Sequence, residues 1–445
     1  MQIFSNTGEP SAKKSLLIVL LIALILRGIW AFLVPVVPLS DSYAYDTFAR
    51  NLAAGNGYAW APGHLTAHWP VGTSFVYSLF YRVFGLTYIP IVLFNICISL
   101  GTIWLTMVLA TRWFSKQIAV TAGLLLACWP AQIEFVSVLG SELLFNALLM
   151  TWLFIWDSMR SKTWKAGLVL GVVAAATCYV RPTALLIPVV LLVIDVVRDR
   201  TLLSPIGKAV LTLLMVCLLI APWSIRNTRL YGSFVHIATN GGVNFWEGNN
   251  PTTNGGTQSA PAETSNMNEA ERDRYLGSVA TAYIKEYPVR FIVRTLSKAV
   301  RLYSHESIGV YWNKDGLESR FGSRAFIPLK LFSSFYWACA LMLGLGGLIS
   351  LVRQVGPVRA LFQPAVAFWL YFTAVYAITV IQDRYHFAAV PFIAMFGGLA
   401  IVQLWSLRAQ RTTTDDAIAV AKIRSESLAT LMINNKEGAP ESLGV

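Results

Sequence analysis

Apolar runs of about 20 residues recur along most of the chain, separated by short polar or basic segments. An α-helix needs a run of this length to cross the hydrocarbon core of a bilayer, which is roughly 30 Å thick. The runs fall near 15–36, 88–110, 118–133, 141–158, 166–180, 183–197, 208–225, 326–351, 361–381 and 387–407. The pattern predicts an all-α polytopic membrane protein with about ten transmembrane helices.

Lysine and arginine are concentrated in alternate short loops between these runs. They are Lys13, Lys14, Arg112, Lys116, Arg160, Lys162, Lys165, Arg198, Arg200, Arg353, Arg359, Arg408 and Arg411. Basic loops stay on the cytoplasmic side, so both termini are predicted to be cytoplasmic, in the cell (inner or plasma) membrane. The predicted division is a membrane module 1–225 with a first outer loop 37–87, an extracytoplasmic segment 226–325, C-terminal transmembrane helices 326–407 and a cytoplasmic tail 408–445.

The composition supports this class of protein and excludes others. Of the 445 residues, 56% are hydrophobic and only 13% are charged, whereas soluble chains carry about 25% charged residues. The net charge of +12 is explained by the loops that face one side of the membrane, so membrane lipids are the expected partners and nucleic acid is not. The sequence contains no P-loop and no Rossmann fingerprint in its strand context, which argues against ATP-driven transport and nucleotide-sugar binding.

The stretch 40–52, directly after the first run, has the periodicity of a short amphipathic helix lying along the membrane surface. Gly55 provides a C-terminal stop. Asp41 stands at the helix start, where the helix dipole favours a carboxylate, and both a simple N-cap and a functional acid fit this position. Asp46 is predicted to form an exposed ion pair with Arg50, four residues later.

The second outer segment is also predicted to be mainly helical. A turn-rich stretch, 239–251, carries aromatic residues and precedes two helices at about 268–286 and 288–303. The second helix has a basic stripe opposite an apolar one, and this stripe is predicted to bind anionic lipid headgroups. The stripe consists of Arg290, Arg294, Lys298 and Arg301.

Several short motifs occur in an order that spans most of the chain. They are Asp41 with Tyr45, NLAAGNGY (51–58), HWPVG (68–72), FYRVFG (80–85), SELL (141–144), RPT (181–183), APWSIRN (221–227), GNNP (248–251) and DRYHF (383–387). Together with the topology they resemble the GT-C membrane glycosyltransferases, in the family 39-like branch of the protein O-mannosyltransferases and the lipid A aminoarabinose transferase.

The resemblance implies an enzyme that moves a sugar from a polyprenyl-phosphate carrier to a lipid, glycan or protein acceptor on the extracytoplasmic face. The family's acidic residue in the first outer loop, the proposed base, corresponds to Asp41. Relatives often have an Asp-Glu pair where this chain has Asp41 and Ser42, so a second carboxylate has no counterpart here. Relatives also often have two prolines where this chain has His68, Trp69 and Pro70.

The leaving phosphate requires a cation, and arginine suits its geometry better than lysine. Arg384 is the first candidate and Arg181 the second, with a membrane anchor and a structural helix-end pair as the respective alternatives. Glu142, the second predicted catalytic residue beside Asp41, opens the fourth run, where it could also pair with an arginine, cap its helix or hold a divalent metal with Asp41. No cofactor is certain.

The remaining predicted substrate-binding residues lie inside the matched motifs or inside a span. They are Tyr385, Arg27, His68 and Asn249. Arg27 lies well inside the first span, where it is expected to pair with an acid or to approach the carrier phosphate. The rival functions are a transporter or flippase of lipid-linked sugars, which should show repeated halves with broken helices, and a lipid-linked glycan polymerase or ligase.

Overall fold

The computed structural model describes residues 9–159 and 163–408, and this part of the chain is almost entirely helical. Its helices are α1 Glu9–Leu33, α2 Asp41–Ala53, α3 Gly72–Phe84, α4 Ile89–Trp113, α5 Lys116–Cys128, α6 Pro130–Glu134, α7 Glu142–Ser158, α8 Thr163–Val180, α9 Ile187–Asp199, α10 Leu203–Tyr231, α11 Gly241–Gly248, α12 Glu269–Glu286, α13 Pro288–Arg301, α14 Ile308–Trp312, α15 Lys314–Phe321, α16 Phe326–Val355, α17 Pro357–Leu361, α18 Pro364–Ile378 and α19 Tyr385–Arg408. The strands β1 Ala59–Ala61 and β2 His64–Leu65 pair antiparallel.

The prediction of an all-α polytopic membrane protein is confirmed. Within the described residues, five helices are long and apolar enough to cross a bilayer, or six if the bent pair α5–α6 is one span. The five are Lys13–Leu33, Ile89–Trp113, Leu203–Tyr231, Ser323–Val355 and Tyr385–Arg408. Shorter apolar helices occupy Trp164–Val180 and Pro364–Ile378. The total of ten therefore stays a prediction, and the tail 409–445 and the loop residues Arg160 and Lys162 lie outside the described residues.

The long helices differ in how much protein surrounds them. In α19, 78% of the most apolar 18-residue window is buried inside the protein, against 17% in α1. The last helix is thus central in the bundle, and the first faces lipid. Because α19 begins directly after Arg384, its central position places that residue among several helix ends.

The bend between α5 and α6 has a local cause. The two helices meet at 60° where Pro130 opens α6, and proline has no N–H to continue the hydrogen bonding of the preceding helix. Trp129 at the corner is fully buried, and its indole N–H donates to Glu306 at 2.8 Å. The break is therefore packed and hydrogen-bonded rather than loose.

In the first outer loop, the predicted amphipathic helix is present as α2. Its apolar face packs in the cluster of Phe48 with Tyr58 and Trp60, whose rings lie 4.7 and 4.6 Å from that of Phe48. Ser40, just before the helix, has a φ of 56°, a backbone conformation that non-glycine residues rarely adopt. This turn sets the direction in which Asp41 enters the helix.

The ion pair between Asp46 and Arg50 is confirmed at 2.8 Å, but its predicted exposure is wrong. Asp46 is buried, because α3 and the residue before α4 cover this face of α2 and contribute Tyr81 and Tyr88, whose hydroxyl groups also donate to the carboxylate. The cluster joins α2, α3 and the start of α4 inside the protein.

Two residues of the basic stripe of α13, Lys298 and Arg294, face the protein, whereas Arg290 and Arg301 are exposed, so contact of the stripe with lipid headgroups stays a prediction. Lys298 is fully buried and donates to the backbone oxygens of Gly248 and Thr379 at 3.0 and 2.6 Å. Arg294 donates to the backbone oxygen of Asn250 at 2.6 Å. These carbonyl groups belong to the end of α11, the loop after it and the residue that follows α18, where regular helical hydrogen bonding stops. The apolar residues of α13 are exposed, with Val289, Val293, Leu296 and Val300.

Candidate active site

Four of the predicted site residues meet at one end of the helix bundle. Asp41 is the first residue of α2, and Glu142 is the first residue of α7. Arg181 follows α8, and Arg384 precedes α19. Each residue thus stands at a helix end, where a charged side chain reaches the bundle surface without crossing its apolar middle.

The four side chains form a continuous chain of ion pairs. The Nη2 atom of Arg384 lies 2.5 Å from Oδ2 of Asp41, and its Nη1 lies 3.4 Å from Oε1 of Glu142. The same Oε1 atom is 2.5 Å from Nη2 of Arg181. The order is therefore Asp41, Arg384, Glu142, Arg181, with formal charges that cancel.

Exposure differs along this chain. The side chain of Asp41 is 22% exposed, whereas those of Arg384 and Glu142 are 7% and 0% exposed. A molecule that approaches from solvent therefore meets Asp41 first. The buried residues Arg384 and Glu142 can interact with that molecule only through those of their atoms that point towards Asp41.

The guanidinium group of Arg384 is held on every side. Its Nε donates to Gln382 at 2.7 Å, and its plane lies 4.4 Å from the ring centre of Trp312 and 5.4 Å from that of Tyr385. Aromatic faces attract cations, and more strongly when water is excluded. These contacts fix the position of the group before any ligand arrives.

Arg181 is held in the same manner. Its Nε donates to Ser141 at 2.9 Å and its Nη1 to Tyr376 at 3.2 Å. Tyr385 stacks on Tyr376 at 4.7 Å and lies 6.0 Å from the guanidinium carbon of Arg181. Tyr385 thus packs between both arginines, and its place beside the predicted phosphate ligands agrees with the sequence motif that contains it.

The electrostatics keep both arginines charged. Burial alone would lower the pKa of Arg384, but Asp41 and then Glu142 outweigh it, so the pKa is raised above its usual value. Burial likewise opposes the charge of Arg181, and Glu142 more than offsets it, so that pKa is raised too. Two buried cations beside one accessible carboxylate are suited to an anionic ligand.

The two carboxylate oxygens of Glu142 have different surroundings. Its Oε2 is buried and has no hydrogen-bond partner among the described residues, which is rare for a buried polar atom. A side chain at Gly140 would place its Cβ 2.6 Å from this oxygen. The carboxylate therefore requires glycine beside it to keep its position.

Tyr45 and His68 border the four charged residues. Burial, followed by the charge of Glu142, raises the pKa of Tyr45 to about 12. Burial lowers the pKa of His68, against the opposing charges of Glu269, Asp273 and Asp41. The ring of His68 lies edge-on to Trp69, with centres 4.8 Å apart. His68 is therefore near Asp41 without belonging to the ion-pair chain.

Arg27 lies elsewhere, and the expectation of an acid partner is wrong. Its guanidinium donates to Ser99 at 2.8 Å and to the backbone oxygens of Ala127 and Leu126 at 3.0 and 3.2 Å. These carbonyl groups belong to the last turn of α5, where the bend at Pro130 interrupts the helical hydrogen bonding, and that of Leu126 also accepts from the backbone N–H of Trp129 at 3.4 Å. Arg27 thus caps a broken helix.

Asn249 also has a structural position. Its Nδ2 donates to the backbone oxygens of Phe245 and Ile378 at 2.9 and 2.8 Å, and its Oδ1 accepts from Lys298 at 3.3 Å. These bonds join α11 to the end of α18. The residue supports the outer segment and does not contact the four charged residues within the described chain.

Glu247, a carboxylic acid of α11, is not among the site residues predicted from the sequence. Glu247 is 5% exposed, and its Oε2 has no hydrogen-bond partner among the described residues. Burial, with a smaller contribution from Asp41, raises its pKa to about 7. The available indication was an acid next to two aromatic residues, Phe245 and Trp246, in the turn-rich stretch.

The predicted metal site at Asp41 and Glu142 does not fit a divalent ion in this arrangement. Arg384 lies between the two carboxylates, where a bridging ion would sit. Hard cations take six or more oxygen ligands, and the described residues contain no group of three or more His, Cys, Asp and Glu placed to hold a metal.

Comparison with known proteins agrees with the family resemblance that the sequence motifs predict. The family model described as dolichyl-phosphate-mannose-protein mannosyltransferase matches residues 68–225, a segment that contains Glu142 and Arg181. No curated protein matches the chain.

Solved structures match over nearly the whole chain. The oligosaccharyltransferase AglB from Archaeoglobus fulgidus, in complex with an inhibitory peptide and a dolichol-phosphate, has a TM-score of 0.54 and 12% identity, and the match covers 97% of this chain and 52% of that one. The Archaeoglobus fulgidus oligosaccharyltransferase in its apo form matches with a TM-score of 0.54 and 12% identity, and the match covers 92% of this chain and 52% of that one. ArnT from Cupriavidus metallidurans, bound to undecaprenyl phosphate, matches with a TM-score of 0.51 and 14% identity, and the match covers 86% of this chain and 59% of that one.

The chain spans a little over half the length of these solved proteins. At such identities the similarity shows the fold. The family match over residues 68–225 and the shared fold agree with the predicted resemblance to the GT-C superfamily, in the branch of the protein mannosyltransferases and ArnT.

Proposed function

We propose that this chain is a glycosyltransferase that moves a sugar from a polyprenyl-phosphate carrier to an acceptor at the extracytoplasmic face of the membrane. The observation that carries the proposal is the meeting of an accessible carboxylate with two buried, prearranged guanidinium groups at one end of the bundle. Transfer from a phosphate leaving group needs a base for the acceptor and cations for the phosphate.

Asp41 is the proposed general base. Its Oδ2 binds Arg384, and its Oδ1 accepts no hydrogen bond among the described residues. In the reaction, the acceptor O–H attacks the anomeric carbon of the sugar, and the bond between that carbon and the phosphate oxygen breaks. The proton passes to Asp41, and the bonding electrons leave on the polyprenyl phosphate.

Arg384 and Arg181 are the proposed phosphate ligands. Each terminal nitrogen of a guanidinium carries two hydrogens, so the Nη atoms of Arg384 retain donors after binding Asp41 and Glu142. Their positions are fixed before the negative charge develops on the departing phosphate, which is the condition for efficient electrostatic catalysis. Glu142 positions both arginines and does not touch the sugar in this proposal.

The solved relatives support the choice of donor. One is bound to undecaprenyl phosphate and another is in complex with a dolichol-phosphate, which are both polyprenyl phosphates. We place the site on the outer face because the basic loops lie at the opposite end of the helices. The proposed outer units are the loop 37–87 and the segment 226–325.

The test compares the wild type with Asp41→Asn in purified protein reconstituted in lipid. Radiolabelled monosaccharide and oligosaccharide donors on polyprenyl phosphate are incubated with membrane-derived lipid, glycan and protein acceptors, with and without a chelator. The loss expected for Asp41→Asn is about 100-fold or more. Asp315→Asn, at an exposed acid of α15, is the matched control and should transfer as the wild type does.

Binding of the donor is measured in parallel. Donor binding that persists in Asp41→Asn while transfer is lost supports the assigned base. Undiminished transfer by the variant removes Asp41 from the mechanism but keeps the enzyme class. If an intact lipid-linked sugar crosses the membrane and no acceptor is glycosylated, the protein is a flippase and not a glycosyltransferase.

A further inference from the structure

A groove of about 430 Å³ opens at the other end of the bundle from the candidate active site. Three arginines lie along it, Arg112, Arg198 and Arg359, and its walls include Ile194, Val197 and Phe362. The groove thus combines several guanidinium groups with an apolar surface. None of these residues has a role in the proposed transfer reaction.

The helix α7 shows where the groove lies relative to the active site. Glu142 begins this helix at the site, and Ser158 ends it, where its hydroxyl accepts from Arg112 at 2.8 Å. Sixteen helical steps of 1.5 Å separate the two ends by about 24 Å, close to the thickness of a bilayer's apolar core. The groove therefore opens at the opposite membrane surface, which the basic loops identify as the predicted cytoplasmic one.

Two of the three arginines are held in place by other groups of the protein. Arg112 lies 3.0 Å from Asp157 and 4.8 Å from the ring centre of Phe154. Arg198 lies 2.8 Å from Asp195 and 5.0 Å from the ring centre of Trp156. These contacts order the two guanidinium groups at the groove without using all of their donors.

Arg359 is different, because it is exposed and has no hydrogen bond or ion pair within the part of the chain that the structure describes. Gln363, the next polar residue of the groove, has a buried Nε2 atom with no partner. Nearby, Lys208 also contacts Asp195, at 2.5 Å. Counting this lysine and the adjacent Asp199, four cations face three carboxylates, so the region has an excess of positive charge.

We propose that this groove binds one anionic glycerophospholipid of the inner leaflet. Its phosphate interacts with Arg359 and the remaining donors of Arg112, and its acyl chains lie on Val197 and Phe362. Basic grooves between transmembrane helices at the cytoplasmic surface suit such headgroups. The apolar walls favour a lipid over free phosphate, which has nothing to place against them.

Native mass spectrometry of the full chain, released from detergent with added phosphatidylglycerol or phosphatidylcholine, tests the proposal. We expect more bound phosphatidylglycerol than phosphatidylcholine, and about a five-fold loss of phosphatidylglycerol in Arg359→Ala. The control is Arg353→Ala, at an exposed arginine near the end of α16 that does not line the groove. This variant should bind within two-fold of the wild type by the same estimate.

A second variant, Val197→Gln, tests the apolar wall and should weaken lipid binding without changing the charge. Equal losses in Arg359→Ala and Arg353→Ala would overturn the proposal, because they would show general surface attraction. Equal binding of both lipids would overturn it too. Complete competition by inorganic phosphate would show an anion site without a lipid.

Discussion

The site around Arg384 and the bend around Arg27 both bury a guanidinium group, but they supply different partners. Arg384 contacts two carboxylates and two aromatic rings, whereas Arg27 contacts a hydroxyl group and neutral backbone carbonyls. Carbonyl partners satisfy the hydrogen bonds of a helix end. Carboxylate partners keep a cation charged beside an accessible acid, and this difference separates a chemical role from a structural one.

The largest expected effect is the loss of activity in Arg384→Ala. This change removes the proposed phosphate ligand and leaves Asp41 and Glu142 without the cation between them, so kcat should fall about 1000-fold. Transfer is measured at saturating donor, with Arg320→Ala, an exposed arginine of α15, as the control. Activity retained within ten-fold would remove Arg384 from the mechanism and leave it a structural ion-pair partner of Asp41 and Glu142.

Arg27→Met should damage stability rather than chemistry. The change removes the guanidinium donors from Ser99 and from the carbonyl groups of Ala127 and Leu126, and we expect a loss of about 3 kcal/mol in unfolding free energy. Thermal melting in detergent measures this loss, and the protein that remains folded should transfer at a rate within three-fold of the wild type. A variant that melts like the wild type but is inactive would assign Arg27 to the carrier after all.

Gly140→Ala tests the position of Glu142. The added Cβ lies 2.6 Å from Oε2 of Glu142, so the carboxylate must move and both arginines with it. Small displacements of this kind reduce rates strongly, and we expect about a ten-fold loss in kcat. Gly101→Ala, in α4 with open space around the new Cβ, is the matched control. Equal activities would show that Glu142 can move freely.

The smallest effect is the pH dependence of stability due to Glu247. Its pKa in the folded protein, about 7, is above that of an unfolded chain, so its neutral form stabilises the fold. That contribution is fully present below about pH 4.5 and is lost as the pH rises through about 7, with a total of about 1–3 kcal/mol.

Melting temperatures at pH 5 and pH 8 compare the wild type with Glu247→Gln. The variant should lose this part of the pH dependence and melt higher than the wild type at pH 8. The exposed Glu263→Gln is the control. An unchanged pH profile in Glu247→Gln would show that the carboxyl is solvated in the folded protein.

The amphipathic helices show what the periodicity of apolar residues can and cannot predict. The patterns at α2, α12 and α13 predicted the helices to within two residues at their beginnings and ends. The pattern of α13 did not indicate which face meets the protein. Lys298 faces inwards because the end of α11 and the residue after α18 present carbonyl groups to it, and both are remote from the stripe in sequence.

The apolar runs and the basic loops were enough to predict the membrane class, the order of the helices and the charged residues of the candidate site. These properties follow from runs of apolar residues and from helix ends, which are local. That Asp41 and Arg384 touch although 343 positions separate them, and that Arg27 meets no acid among the described residues, can be seen only in the folded protein. The physical reason is that a buried charge takes its partner from whichever helix packs beside it, and helix packing depends on the whole chain.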